Sequence, residues 1–232
     1  LCKSEDNGVS WEIFEGQSIR ENYNLGVSQS NHYRTISGSQ DNGTSIKTEN
    51  SWIEFYGADG MEGIIHPLNH DWMIGSFQFG GKRRTKDGGY TQDGVGNVEN
   101  GGWIAPLFYD PIDQMKIYSL GDKVTVSEDF GSTWNDLGTP FGLTESVNYA
   151  TIAENNSDNI VVTRGNQIKL SVDGGITFTS IESNLPNNYI TDVAFDPNND
   201  DIIIVTYGSY NGNNNKVYVT YDQGNTWLNI TY

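Results

Sequence analysis

Two short stretches of this 232-residue chain place carboxylates where chemistry could use them. Tyr56-Gly57-Ala58-Asp59-Gly60-Met61-Glu62-Gly63 sets Asp59 and Glu62 in a glycine-rich loop, and Gly38-Ser39-Gln40-Asp41-Asn42-Gly43 sets Asp41 beside Gln40. Glycoside cleavage needs such a pair, one carboxyl as proton donor and the other as base or nucleophile. With 30 acidic residues in the chain, pairs of this kind also arise by chance. The Gly38 segment has cousins at Gly75 to Gly81 and Gly208 to Gly212, and that recurrence reads as a structural turn. Other side chains are candidates for binding. Arg83 and Arg84 are paired cations able to reach a carboxylate-bearing ligand. Trp103 closes a long irregular stretch that begins at Gly88, and reads either as a sugar-stacking platform or as the first core residue of the next strand. Asp196, Asp200 and Asp201 offer hard oxygens that suit calcium, but without EF-hand spacing, so a solvated turn is the competing reading. No other cofactor is expected. His32, His66 and His70 are scattered, and no metal-ligand spacing or nucleophile elbow is present.

The elements that must position these residues come from a repeated phrase, Ser/Thr-x-Asp-x-Gly-x-Thr/Ser-aromatic. It opens at Ser4, Ser127, Ser171 and Thr220, and a fifth copy at Thr85 lacks only the final aromatic. A worn copy from Ser45 to Trp52 keeps the strand and the tryptophan without the turn. A period of about 40 to 50 residues with several short strands per unit predicts a β-propeller of four-stranded blades. Turns such as His66-Pro67, Asp110-Pro111 and Asp196-Pro197 separate the first two strands of a blade, because proline presets φ and a short polar side chain bonds nearby backbone. Within the phrase the aspartate accepts backbone N–H groups, glycine supplies positive φ, and the hydroxyls tie two strands together. Asp6, Asp87, Asp129, Asp173 and Asp222 are therefore expected to be structural, and the aromatics that follow to face the space between blades.

This phrase resembles the Asp box. The chain is similar to Asp-box (BNR-repeat) propellers, the group that includes sialidases, xyloglucanase-type hydrolases and sortilin-type receptor ectodomains, and the phrase spans nearly its whole length. Gln40 and Asp41 resemble the Gln-Asp-Asn-Gly phrase of secreted relatives in that group. The resemblance implies an all-β propeller with Asp-box hairpins, about five to six blades being represented, as part of a larger propeller. It divides residues 1–232 into a partial blade over 1–20 and blades over 21–58, 59–102, 103–140, 141–186 and 187–232. The arginine clamp of sialidases has no match here, and neither catalytic aspartate of the xyloglucanase-type enzymes can be placed. Two functions follow as expectations. One is a secreted or cell-surface recognition propeller of bacterial type that binds a glycan or protein through axial loops without turnover. The other is a fragment of a glycoside hydrolase in which Asp59 or Asp41 supplies one carboxylate.

Composition agrees with many short strands: 27 glycines, 6 tryptophans, 13 tyrosines and 9 phenylalanines, with 35% hydrophobic residues. A net charge of −17 disfavours nucleic acid and anionic membrane surfaces as partners. Cys2 has no second cysteine to pair with. No apolar segment is long enough to span a bilayer. The sequence opens at Leu1 inside a blade, so remaining blades or a partner chain are expected to complete the ring.

Overall fold

The computed structural model describes residues 2–13, 20–97, 100–208 and 215–231. The part of the turn cousin at Gly208 that runs from 209 to 212, and the termini Leu1 and Tyr232, lie outside these residues.

Strands β1 (Cys2–Lys3) and β2 (Glu12–Ile13) form a two-stranded hairpin. Five four-stranded antiparallel meanders follow. The first holds β3 (Asn22–Val27), β4 (Thr35–Ser39), β5 (Gly43–Lys47) and β6 (Trp52–Tyr56). The second holds β7 (Gly60–Ile65), β8 (Met73–Phe77), β9 (Gly81–Thr85) and β10 (Asp93–Asn97). The third comprises β11 (Leu107–Tyr109), β12 (Ile117–Leu120), β13 (Val124–Ser127) and β14 (Asn135–Asp136). The fourth comprises β15 (Tyr149–Ala153), β16 (Asn156–Arg164), β17 (Gln167–Ser171) and β18 (Thr179–Ser180), and the fifth β19 (Ile190–Asp196), β20 (Asn199–Tyr207), β21 (Val217–Thr220) and β22 (Leu228–Asn229). Apart from one 3₁₀ turn at Gln78–Gly80, the described residues contain no helix.

Successive blades pack face to face because strand side chains alternate with a period of two. Ile65 points into a core with Ile36, Ile46, Phe55 and Met73 between blades one and two. Its neighbour Ile64 points the other way, into a core with Ile74, Leu107, Ile117 and Phe130 between blades two and three. Ile160 and Val162 enter the next core with Tyr118 and Val126, whereas Val161 enters the last one with Ile203, Val205 and Tyr207. A strand thus supplies two cores, one on each face. Blades one and two also meet backbone to backbone. A Cβ on Gly38 would fall 2.1 Å from the Met61 carbonyl oxygen, and one on Gly26 would fall 2.2 Å from that of Gly63.

The Asp-Gly turn is the same structure five times. In the copy at Ser171, Asp173 Oδ1 accepts from Ser171 Oγ at 2.8 Å and Thr177 N at 2.9 Å, Oδ2 accepts from Thr177 Oγ1 at 2.6 Å, and Gly175 N donates to Ser171 Oγ at 2.8 Å. Asp6, Asp87, Asp129 and Asp222 repeat this pattern. Two residues in a row take positive φ at each turn, as with Gly174 at 72° and Gly175 at 90°. The hydroxyl and backbone N–H of Thr177, with the Ser171 hydroxyl, hold the half-buried Asp173 carboxyl down at about 2.

The aromatics after these turns divide by position. Trp134, Phe178 and Trp227 each pack into the core shared with the preceding blade, and Trp227 Nε1 donates to the Ile181 carbonyl at 2.8 Å. Trp11 and Trp52 were expected between blades but are 64% and 57% exposed. The reason is geometric: the aromatic packs toward the preceding blade, and among the described residues no core forms on that side of the β1–β2 hairpin, which holds Trp11, or of blade one, which holds Trp52. Leu25 and Val27 are exposed on the same blade.

Candidate functional site

A meander puts the turns after its first and third strands at one end of the blade. The hairpin between its second and third strands, and the link to the next blade, lie at the other end. The Asp-Gly turns therefore sit beside the first-strand turns, with Gly174 N donating to the Asp158 carbonyl at 3.0 Å and Gln223 N to that of Asp201 at 3.0 Å. The opposite end carries a cavity of about 590 Å³. Each of the five blades contributes its first strand, or the link into it, to the lining: Tyr23 and Asn24 from β3, Glu62 from β7, Leu107 and Phe108 from β11, Tyr149 from β15, and Asp192 from β19. Trp103, Asn148 and Tyr189 arrive from the links between blades.

The cavity wall is aromatic and amide-rich with two carboxyl side chains. Asn24 Nδ2 donates to Glu62 Oε2, and the Glu62 backbone N–H donates to Ser76 Oγ at 2.9 Å. Burial pushes the Glu62 carboxyl up to about 7, against the opposing pull of the Asn24 amide. Glu62 is thus partly protonated at neutral pH, able to donate a hydrogen bond or a proton. Across the wall, Asp192 stands near Tyr149 and Tyr189. Burial raises the Tyr149 hydroxyl, with Tyr189 and the Asp192 charge adding to it. The Trp103 indole N–H reaches the Tyr23 hydroxyl at 3.4 Å.

Of the residues singled out from sequence, Glu62 and Trp103 meet in this cavity. Asp59, Asp41 and Gln40 lie at the same end but form a bracket between blades. Asp41 N donates to Asp59 Oδ1 at 2.7 Å and Gln78 Nε2 to Asp59 Oδ2 at 3.2 Å, while Gln40 N donates to the Glu21 carbonyl at 2.9 Å. Both Asp59 oxygens accept hydrogen bonds from the hairpins of two neighbouring blades. Arg83 and Arg84 lie on β9, away from the cavity lining. The Arg83 guanidinium sits 4.9 Å from the centre of the Tyr56 ring. Buried Arg84 donates from Nη1 to the Phe130 carbonyl at 3.2 Å and to Ser132 Oγ at 2.5 Å. At the other end of the blades, Asp196 Oδ1 accepts from Asn198 N at 2.8 Å and Asn199 N at 3.1 Å, and Asp200 Oδ2 accepts from Asn156 Nδ2 and Asn159 Nδ2. No group of three or more His, Cys, Asp or Glu side chains suited to a metal occurs among the described residues.

Sequence reasoning passed over Tyr23, Asn24, Asn148, Tyr149, Tyr189 and Asp192. Aligning the repeats on their first strands would have found most of them, since they recur at the start of that strand or in the link before it, one blade apart.

Five consecutive four-stranded meanders, packed face to face around the ends of their first strands, decide the architecture. The fold is a β-propeller. A family model described as Sortilin-Vps10, sortilin and neurotensin receptor 3, matches residues 122–232. No curated protein matches the chain by sequence. Among solved structures, an ancestral GH74 enzyme superposes with a TM-score of 0.75 at 16% identity, over 91% of this chain and 31% of that one. The Niastella koreensis GH74 enzyme gives 0.69 at 19% identity, over 90% of this chain and 38% of that one. A YCF48 protein bound to a D1 peptide gives 0.62 at 13% identity, over 99% of this chain and 74% of that one. This propeller thus spans well under half the length of either GH74 enzyme. No helix among the described residues is long and apolar enough to cross a membrane.

Proposed function

We propose that this propeller is a recognition module that binds a glycan or a protein segment in its axial cavity without turning it over, outside the cell or on its surface, as in bacterial secreted propellers. The observation that carries the reading is the cavity itself: about 590 Å³, reached by the first strand or its link from all five blades, and lined by aromatic rings, amides and hydroxyls. Such a surface suits a polar ligand, with rings for contact area and a few polar groups for orientation. A propeller bound to a peptide among the similar structures lends support, as does the sortilin-type match over residues 122–232. The net charge of −17 argues against nucleic acid as the ligand. Remaining blades or a partner chain would cover the apolar face that exposes Leu25, Val27 and Trp52.

A second reading rests on one specific observation. Glu62 stands in the cavity wall, where burial pushes its carboxyl up to about 7, toward the range a glycosidase general acid needs, and the similar structures include two GH74 enzymes. In that reading Glu62 protonates the leaving oxygen, and Asp192 or a residue outside this chain serves as the second carboxylate.

Calorimetry with a panel of neutral oligosaccharides and peptides, run beside a reducing-sugar assay, separates the two. Binding without sugar release is the expected result. Sugar release that Glu62→Gln abolishes would replace recognition with hydrolysis.

A further inference from the structure

We propose that the mouth of the axial cavity, whose lining includes Trp103, Glu62 and Asp192, holds an organic cation, the ammonium of a lysine-type side chain from a protein partner, against the aromatic pair of Trp103 and its neighbour Phe79. The inference rests on the recognition reading above and commits it to a basic protein segment.

The corner is built from two blades. Phe79 tips the hairpin between β8 and β9, and Trp103 lies in the link that leads to β11. Their ring centres are 5.6 Å apart and their planes meet at 84°. The edge of one ring meets the face of the other, and Tyr23 is held to the Trp103 indole N–H, so the pair is braced while its outer faces stay open. Phe79 is 58% exposed and Trp103 46% exposed, so the rings are open to solvent.

Phe79 occupies this place at a conformational cost. Its φ is 62°, a left-handed backbone that a bulky side chain disfavours. The equivalent hairpin of blade one seats Asp41 in that conformation, with a φ of 56°, a residue type that tolerates it. Phe130 shares the strain at a φ of 53°, but it is fully buried and its packing compensates. Exposed Phe79 has only its edge contact with Trp103 to offset the strain, and its outward side is open to a ligand.

Charge selects the ligand. The described residues that line the cavity include Asp192 and Glu62 and no lysine, arginine or histidine, on a chain of net charge −17. Aromatic faces attract a cation through the ring quadrupole, and the Asp192 carboxylate adds direct charge, to which Glu62 contributes only as far as it is ionised. The molecule already uses this chemistry internally: Lys82 Nζ lies 4.8 Å from the Trp134 ring centre while donating to the Gly80 carbonyl and Ser119 Oγ, and Lys86 Nζ lies 4.2 Å from that of Trp72.

The test is calorimetric titration at physiological salt with a lysine hexapeptide blocked at both ends, its fully acetylated counterpart, and a neutral oligosaccharide. The lysine peptide should bind the parent protein and the acetylated peptide should not. Phe79→Leu keeps an apolar side chain but removes the ring, and should lower affinity about 2- to 5-fold, the range of one exposed cation–π contact. Trp103→Leu should do the same, and matching circular dichroism spectra would exclude loss of fold in either variant. Equal binding of the acetylated peptide, or affinity for the lysine peptide that Phe79→Leu leaves unchanged, overturns the proposal, the latter assigning the binding to net charge alone. Binding of the oligosaccharide only, indifferent to Phe79→Leu, overturns it while leaving axial recognition standing. If none of the probes binds, the axial recognition reading loses its support as well.

Discussion

Replacing Arg84 by methionine tests whether this side chain fastens two blades together or serves a ligand. Methionine is close in length and apolar, so the substitution removes the guanidinium with little change in volume. Two hydrogen bonds from a charged group vanish, to the Phe130 carbonyl and to Ser132 Oγ, each contributing about 1.5–3 kcal/mol. The Arg84–Asp93 ion pair adds little, since its oxygen stands 3.7 Å away on a side chain that is 74% exposed. Relief of a desolvated cation, one of whose nitrogens, Nε, lacks a partner, offsets part of the loss. A net cost of about 2–4 kcal/mol follows, which for a chain of this size lowers Tm by about 5–15 °C. Scanning calorimetry measures it directly, and a double-mutant cycle with Ser132→Ala should return a coupling of about 1 kcal/mol. Ligand affinity, measured below the melting transition, should not change. A Tm within about 2 °C of the parent would refute the reasoning, as would lost binding at unchanged Tm, which would return Arg84 to the ligand site.

Gly38→Ala should cost at least about 3 kcal/mol or prevent soluble expression, because the new methyl meets a backbone oxygen at 2.1 Å, whereas Gly57→Ala, with nothing within 4 Å, should melt like the parent. Glu62 should make stability fall with pH: its folded carboxyl titrates near 7 against an ordinary value of 4.5, so the folded state holds the extra proton between those values. The resulting loss, on the order of 3 kcal/mol, should accumulate from about pH 4.5 to 7, level off above, and be absent from Glu62→Gln when denaturant midpoints are compared across pH. We further propose that the Asp196 to Asp201 turn needs no calcium, its Asp196 Oδ1 and Asp200 Oδ2 being engaged by N–H groups; melting curves with and without chelator should coincide, and a drop of several degrees in chelator would restore the calcium reading.

The repeat phrase carried the fold because its chemistry is local. A serine, an aspartate, a glycine and a threonine within seven residues close their own hydrogen bonds, and neighbours along the chain are enough to define the turn. The same locality explains the strands of the last blade, where Ile190 to Phe195 and Ile202 to Tyr207 are legible from apolar residues and a bounding Asp-Pro turn; the observed β19 and β20 extend them by one and three residues toward that turn. The site was legible only in fragments. Glu62 and Trp103 stood out because they lie in irregular segments, and Asp59 stood out for the same reason but bridges two hairpins instead of lining the cavity. Nothing local tells these apart: the carboxylates of Asp59 and Glu62 are three residues apart, one held by hydrogen bonds between blades and the other turned into the cavity.

Turn chemistry, blade period and net charge belong to the sequence by itself, since each depends on residue type and spacing along the chain. Tertiary structure decided which residues share the axis, because five first strands converge there from segments about 40 residues apart, a spacing set by the repeat. It also decided that Glu62 keeps its proton near neutrality, which comes from burial among strands, and that Arg84 faces a neighbouring blade. Those are properties of packing, and packing is what the one-dimensional pattern leaves open.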